Sequence, residues 1–367
     1  MLWHDRQRYL PGVLAVAFSA VLIALQCGLL LGLLSVTALP IDNTRADIWV
    51  GAADVLSIDI GGPIPSAWVG RVAENPEVTH VEEYLQGFSK WKKSNGGDEL
   101  CIIVGSSLED DAMGWVNVLT PELRLRLTEP NTVVVDESEL DRIGIKPGDA
   151  MTGEIGGHTV RIVGLIKGYK SLAGPYVFCS LSTARPLIPR LQSDQTVYLL
   201  AKVRNKDEAP AVASRLQHYK DMTAFTSQDF SVRSRIHWLT KTKAGIALGY
   251  SALLGLLVGA VVTSQTLYAA IVGSLREYAV LRALGIPRWR MATAVMQQSV
   301  CVGILGVLVA GPAVFGLARI AELVGGKVQL PFWLVGGTTV VTLFMALLSG
   351  LYALRSLRLV EPANLLR

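Results

Sequence analysis

The chain has 367 residues, 51% of them hydrophobic and only 17% charged, with a mean hydropathy of +0.40; this excludes an ordinary soluble protein and points to a membrane protein. The net charge of +4 does not describe a nucleic-acid-binding face, because it is partitioned along the chain. Residues 42–243 carry 23 Lys+Arg against 26 Asp+Glu, a net of −3, and the remainder carries 11 against 4, a net of +7, beside the apolar segments.

The first predicted element is an uncharged run of 24 residues from Val13 to Val36, which as a helix spans about 36 Å at about 1.5 Å per residue. It is longer than the core of a secretory signal and is read as a retained anchor, with Pro11 in its first turn and Arg6 and Arg8 holding the amino terminus in the cytoplasm. A polar segment of about 200 residues follows, large enough for its own core and mixed α/β in pattern. Strands are predicted at 47–50, 100–104, 132–135, 160–165, 176–179 and 196–203, and helices at 66–74, closed by Asn75 and Pro76, and at 207–220. Residues 108–188 read as an inserted β-rich subdomain: a helix over 136–143, a turn at Lys146, Pro147, Gly148 and Asp149, then a hairpin at Gly156 and Gly157. The polar stretch 228–243 is helix-compatible, so the second membrane helix is expected to extend outward as a stalk.

Further apolar segments run over 244–272, 292–324, where Gly311 and Pro312 mark a kink, and 332–354. Four spans place both termini inside and residues 42–243 outside. The loop charges agree: Arg276, Arg282, Arg288 and Arg290 against Glu277 after the second span, and Arg355, Arg358 and Arg367 against Glu361 in the tail. The short 325–330 connection holds only Lys327 and belongs outside. The expected organisation is 1–40, cytoplasmic terminus and first span; 41–240, extracytoplasmic domain; and 241–367, the remaining spans with a cytoplasmic connecting helix over 275–286 and a cytoplasmic tail.

Cys27 and Cys301 fall inside apolar runs and read as small buried hydrophobes. Cys101 and Cys179 lie in strand-like stretches of the polar segment, where an oxidising compartment can join them as a disulfide; two separate buried thiols are the other reading. No cysteine has metal-site spacing, and no metal is expected. There is no GxxxxGK[ST] loop to cradle phosphates, no GxSxG and no HExxH, and the histidines His4, His80, His158, His218 and His237 are scattered. No catalytic centre or bound cofactor is therefore expected in this chain. Arg319 and Glu322 are the charges within a membrane segment; their spacing permits a local ion pair, and interfacial anchoring is the plainer reading.

Glycines at i, i+4 spacing, Gly28 with Gly32, Gly245 with Gly249 and Gly255 with Gly259, allow close helix approach, either between two copies in a homodimer or within one subunit. The sharpest local pattern is Arg276, Glu277, Tyr278, Ala279, Val280, Leu281, Arg282, Ala283, Leu284, Gly285, Ile286, Pro287: a short helix with an apolar stripe between arginines, Gly285 at its left-handed end and Pro287 opening the next helix. Physics alone leaves it either as a docking helix for a cytoplasmic partner or as a membrane-surface helix.

This stretch resembles the coupling segment of MacB-type permeases, the FtsX-like permease domain, with the family's R-x-x-E-x-x-x-x-R-A-x-G pattern matched at Arg282, Ala283 and Gly285; here Glu277 follows Arg276 directly. The tail resembles the family's P-x-x-x-L-R ending at Pro362, Leu366 and Arg367. The short amino terminus, the Gln26-containing helix and the size of the outer domain lean toward the DevC branch. The resemblance implies an α-helical membrane protein with four transmembrane helices plus a mixed α/β MacB-like periplasmic domain, in a bacterial inner membrane. It further implies a non-catalytic subunit of an ABC exporter that transmits motion, with ATP and Mg held by a separate ATPase dimer. The partners it implies are a second permease copy, a membrane-fusion protein, a TolC-like outer-membrane channel and membrane lipids, and the expected cargo is periplasmic or lipid-like. An FtsX-like regulator of a cell-wall hydrolase and a lipoprotein-releasing permease are the alternatives.

Overall fold

The computed structural model describes residues 6–93, 96–114, 117, 119–146, 150–171, 173–273, 280, 284, 286–323 and 327–358. They form two compact units, one of Leu34–Thr242 and one of the chain on either side of it.

The strands of the first unit are, in chain order, β1 (Ile48–Ala52), β2 (Ile64–Pro65), β3 (Val78–Lys92), β4 (Asp98–Ser106), β5 (Thr132–Asp136), β6 (Thr152–Ile155), β7 (His158–Ile166), β8 (Tyr176–Ser180), β9 (Gln195–Thr196), β10 (Tyr198–Val203) and β11 (Met222–Thr226); β2 and β9 pair as a separate ribbon and the others form one mixed sheet. The shorter helices of this unit include α2 (Leu39–Asn43), α4 (Pro121–Arg126), α5 (Leu140–Ile143) and α6 (Leu181–Leu187). Strands β11, β1, β10 and β3 lie side by side and antiparallel, with helices α3 (Trp68–Ala73) and α7 (Ala209–Leu216) between the members of each β-α-β pair. This is the split β-α-β, ferredoxin-like arrangement. Ala209, Val212, Ala213 and Leu216 recur at helical spacing on α7 and are buried with Ile48, Val50, Leu199 and Ala224 of the sheet. Residues between β3 and β10 form the insertion. Strands β3, β4, β8, β5, β7 and β6 pair in sequence, and β6 returns to β3 at Trp91↔Ile155, so among the described residues six strands close into a ring.

Strand β3 belongs to both halves. Val78 to Tyr84 pair with β10, and Leu85 to Lys92 pair with β4. The β6–β7 turn is the two-residue turn expected from Gly156 and Gly157, whose φ values are 57° and 86° with Ile155 opposite His158; two left-handed residues give the twist that a tight hairpin needs. Strand β6 passes so close beneath the Trp91 ring that a Cβ at Gly153 would lie 2.1 Å from it. The polar stretch that was expected to be a stalk is a separate helix, α8 (Ser227–Lys241), attached to this domain. Thr242 follows it with an extended backbone, φ −95° and ψ 144°.

The second unit is helical. Its helices are α1 (Arg6–Thr37, whose last turn enters the first unit), α9 (Lys243–Val272), α10 (Arg288–Leu323), which runs unbroken through Pro312, and α11 (Phe332–Arg358). Each contains a segment long and apolar enough to cross a membrane: Leu10–Thr37, Lys243–Thr266, Trp289–Leu323 and Phe332–Leu351. Small residues set the packing. Gly306 of α10 lies against Val16 of α1, and Gly350 of α11 against Ser299 of α10. Ser19 of α1 is fully buried; it donates to the Ala15 and Gly259 carbonyls and accepts from the Thr263 hydroxyl at 2.9 Å, which keeps these hydroxyls paired where no water reaches them.

Because Trp91 sits where the ring closes and is 1% exposed, Trp91→Ala is expected to lower stability by about 3–5 kcal/mol. Thermal unfolding of the full chain in detergent, followed by near-ultraviolet circular dichroism, measures this; an unchanged transition would remove Trp91 from that role.

Candidate functional site

Within the sequence-predicted connecting helix, Val280 and Leu284 are described and Arg276, Glu277, Tyr278, Leu281, Arg282, Ala283 and Gly285 lie outside the described residues. The Leu284 amide donates to the Val280 carbonyl at 3.1 Å, one helical turn, and Leu284 is 75% exposed. Pro287 directly precedes α10, and its carbonyl accepts from the Arg290 amide.

The second set of positioned groups lies along α8, which precedes the span beginning at Lys243. Its start is fixed by a reciprocal cap: the Thr226 hydroxyl oxygen accepts from the Asp229 amide at 3.1 Å and its hydrogen is donated to the Asp229 carboxylate at 2.6 Å. One face then attaches to the domain turn by turn. Phe230 is buried among the rings of Trp49, Tyr198 and Phe225, at centroid separations of 5.7, 5.7 and 5.3 Å. Ser231 donates to Asp42 at 2.6 Å, and Arg235 pairs with the same carboxylate. The Ser234 oxygen accepts from the Ile58 amide at 3.2 Å, and Trp238 Nε1 donates to Asp59 at 2.7 Å. Sequence periodicity missed this face because Ser231 and Ser234, two of its buried contacts, are polar; their signal is the i, i+3, i+4, i+7 recurrence of Ser227, Phe230, Ser231 and Ser234.

Asp59 is the perturbed acid of this attachment. Burial pushes its carboxyl up to about 6, opposed by the hydrogen bond from Trp238. Glu82 of β3 is a second buried carboxylate, pushed up by burial; it accepts from the Gly114 amide and lies 3.6 Å from His80, fastening the 107–114 segment to the sheet. Among the described residues no group of His, Cys, Asp and Glu is arranged to hold a metal.

The remaining sequence-predicted residues fall as follows. Cys101 and Cys179 are both buried and free, the second of the two readings open from the sequence. Register explains why: β4 and β8 pair in parallel with Gly105 opposite Cys179, so Cys101 lies four residues along, about 13 Å at about 3.3 Å per residue, beyond the ~7 Å Cα limit for a bridge. Burial pushes the Cys101 thiol up to about 12. The close approach foreseen for the glycines is made within one chain at four positions. A Cβ at Gly28 would lie 3.0 Å from Leu330 and Val328, at Gly32 1.8 Å from the Lys327 carbonyl oxygen, at Gly255 2.6 Å from Leu22 and at Gly259 3.2 Å from Ser19. Gly245 is buried and Gly249 half-buried on α9. Arg319 and Glu322 form the local pair, at 3.5 Å.

Among the described residues, four helices long and apolar enough to cross a membrane accompany a large β-rich domain in this chain. A model of the MacB-like periplasmic core domain matches residues 13–219 and a model of the FtsX-like permease C-terminal region matches residues 250–362. The first covers more than half of the chain, and the chain belongs to the MacB/FtsX-type family of ABC transporter permeases. An uncharacterized ABC transporter permease of Mycobacterium tuberculosis is 26% identical over 200 residues, 52% of this chain and 22% of its own length, so the chain spans about a fifth of that relative. The periplasmic region of MacB from Actinobacillus actinomycetemcomitans is 12% identical with a TM-score of 0.36, covering 55% of this chain and 97% of that one. The extracellular domain of the transporter YknZ from Gram-positive bacteria is 9% identical with a TM-score of 0.33, covering 49% and 99%.

Two outcomes are expected. Acidification protonates Asp59, and because its carboxyl stands above the ordinary carboxylate value, its contribution to stability is complete below about 4 and lost as pH rises through about 6. Asp59→Asn is therefore expected to raise the stability of the full chain at pH 7–8, by at most about 3 kcal/mol, with the gain vanishing near pH 4; a gain that does not depend on pH would contradict the assignment. In thiol titration of the folded protein, Cys101 and Cys179 are expected to react only after denaturation and without prior reduction.

Proposed function

We propose that the chain is the membrane-spanning subunit through which a separate ATPase dimer drives export by mechanotransmission. ATP and Mg are bound in the partner, the 275–286 connector receives the thrust on the cytoplasmic side, and the 34–242 domain moves on the other. The observation that carries this reading is the junction at Thr242: α8, held to the domain by Phe230, Ser231, Ser234, Arg235 and Trp238, passes through one extended residue into α9. In this reading a displacement of the span reaches the β-rich body through α8. The exposed Leu284 is an apolar contact for the ATPase.

The cargo in this reading is a periplasmic or lipid-like molecule that does not cross between the helices. Arg319 and Glu322, the charges in the third span, have side chains 84% and 48% exposed and pair with each other rather than facing a polar path. A membrane-fusion protein and a TolC-like outer-membrane channel complete the route, with both termini of this chain in the cytoplasm. A second copy packs along α9, where Tyr250, Leu254, Leu257 and Val261 remain exposed.

The double variant Arg282→Glu with Leu284→Glu, assembled with its ATPase, is expected to lose coupled ATP hydrolysis by about tenfold or more, the equivalent of about 1.4 kcal/mol, while inserting normally; full coupled activity in that variant would defeat the reading. A cysteine at the exposed Leu125 is expected to react with a membrane-impermeant maleimide added outside intact cells, and labelling only after lysis would place the domain on the wrong side. Leu254→Cys is expected to cross-link two copies, whereas Gly255→Cys, under Leu22 of its own chain, is not.

A further inference from the structure

Helix α8 carries two parallel ridges, one apolar and exposed and one basic. Val232 and Ile236 are 47% and 54% exposed, four residues apart. Arg233, His237 and Lys241 run beside them at the same spacing, and with Leu56, 38% exposed, these residues line an open groove of about 490 Å³. The lining acid, Asp229, is engaged by the Thr226 hydroxyl at the far end of the helix from Lys241. Arg233 is fixed in advance: its Nε donates to the Val55 carbonyl at 3.1 Å and its guanidinium lies 5.0 Å over the Phe225 ring. His237 and Lys241 make no side-chain hydrogen bond or ion pair among the described residues.

We propose that this groove docks an amphipathic helix of a separate extracytoplasmic protein, one that presents an acidic ridge alongside an apolar ridge. The inference rests on the reading above only in placing the 34–242 domain outside the cytoplasm. From Arg233 to Lys241 the cationic ridge extends about 12 Å at about 1.5 Å per residue, parallel to the apolar one, which is the footprint of a helix laid along α8 with its own i, i+4 rows in register. The basic ridge calls for an acidic partner, because the one acid in its lining, Asp229, sits at the far end of the helix from Lys241 and is already engaged. The fixed Arg233 lowers the ordering cost of a partner carboxylate, and the uncommitted Lys241 is free to follow it.

The test uses the full chain in phosphatidylcholine nanodiscs and two fluorescent helical peptides of about 20 residues. One carries leucines at i, i+4 with glutamates on the adjacent ridge, and its twin carries lysines in place of the glutamates. Saturable binding of the glutamate peptide, at least about tenfold tighter than its twin, is expected. His237→Glu with Lys241→Glu should invert that preference, and Ile236→Glu should abolish binding of both while thermal unfolding stays unchanged. Equal binding of the two peptides, no saturable binding, or a preference that survives the charge reversal overturns the proposal. So does cross-linking of Ile236→Cys between two copies, and so does shielding of that cysteine from maleimide when phosphatidylglycerol is added to the bilayer, since these give the face to a second copy or to lipid. Binding is read without nucleotide or ATPase, so its failure leaves the force-relay reading standing, and loss of the ATPase coupling measured with the Arg282 and Leu284 variant leaves this docking site untouched.

Discussion

The architecture of the 34–242 domain depends on one backbone constraint, the double use of β3. A 15-residue strand that pairs with β10 up to Tyr84 and with β4 from Leu85 onward makes the ferredoxin-like half and the closed ring parts of one hydrogen-bonded sheet. Neither half has to rely on side-chain packing alone to hold its position against the other. The ring leaves no exposed edge at the β6 end, because Trp91 and Lys92 of β3 pair with Ile155 and Glu154 there. One buried cluster runs from Trp49 and Tyr198 through Tyr84 and Trp91 to Phe178, so apolar contact follows the same path as the shared strand.

That continuity gives α8 something firm to hold. Its attachments are distributed between the sheet, the 55–59 segment and Asp42, the last in the short helix Leu39–Asn43 that follows α1. Two of the partners are carboxylates, and one of them, Asp59, is costly to ionise where it sits. A buried polar attachment of this kind specifies one arrangement because misplacing the helix would leave both acid and donor unpaired.

Much of this was legible from residue patterns, and the gaps have physical reasons. The four spans were readable because uncharged apolar runs of such length are what a bilayer's hydrocarbon core demands and what water-soluble folds rarely contain. The β6–β7 hairpin was readable because Gly156 and Gly157 supply the two left-handed residues that a tight turn requires. The long β3 was not, since His80, Glu82, Glu83, Gln86 and Ser89 interrupt its apolar alternation; Glu82, Gln86 and Ser89 are nevertheless buried, and their burial depends on partners from distant strands and loops. The choice between paired and separate cysteines stayed open for a related reason: composition places both thiols in strands, and only the register separates them along those strands. The glycine spacings correctly announced close helix contacts, yet spacing alone cannot say which helix approaches.

Gly32 shows what such an approach entails. Its α-carbon faces the Lys327 carbonyl so closely that even a methyl group has no room, and one turn earlier the Gly28 carbonyl accepts from the Gln329 amide at 3.0 Å. Residues 327–329, just ahead of α11, are thus clasped main chain to main chain against α1. Sliding α1 lengthwise would drag them along, so the two are geared together, and Gly32 cannot be enlarged without slipping a tooth.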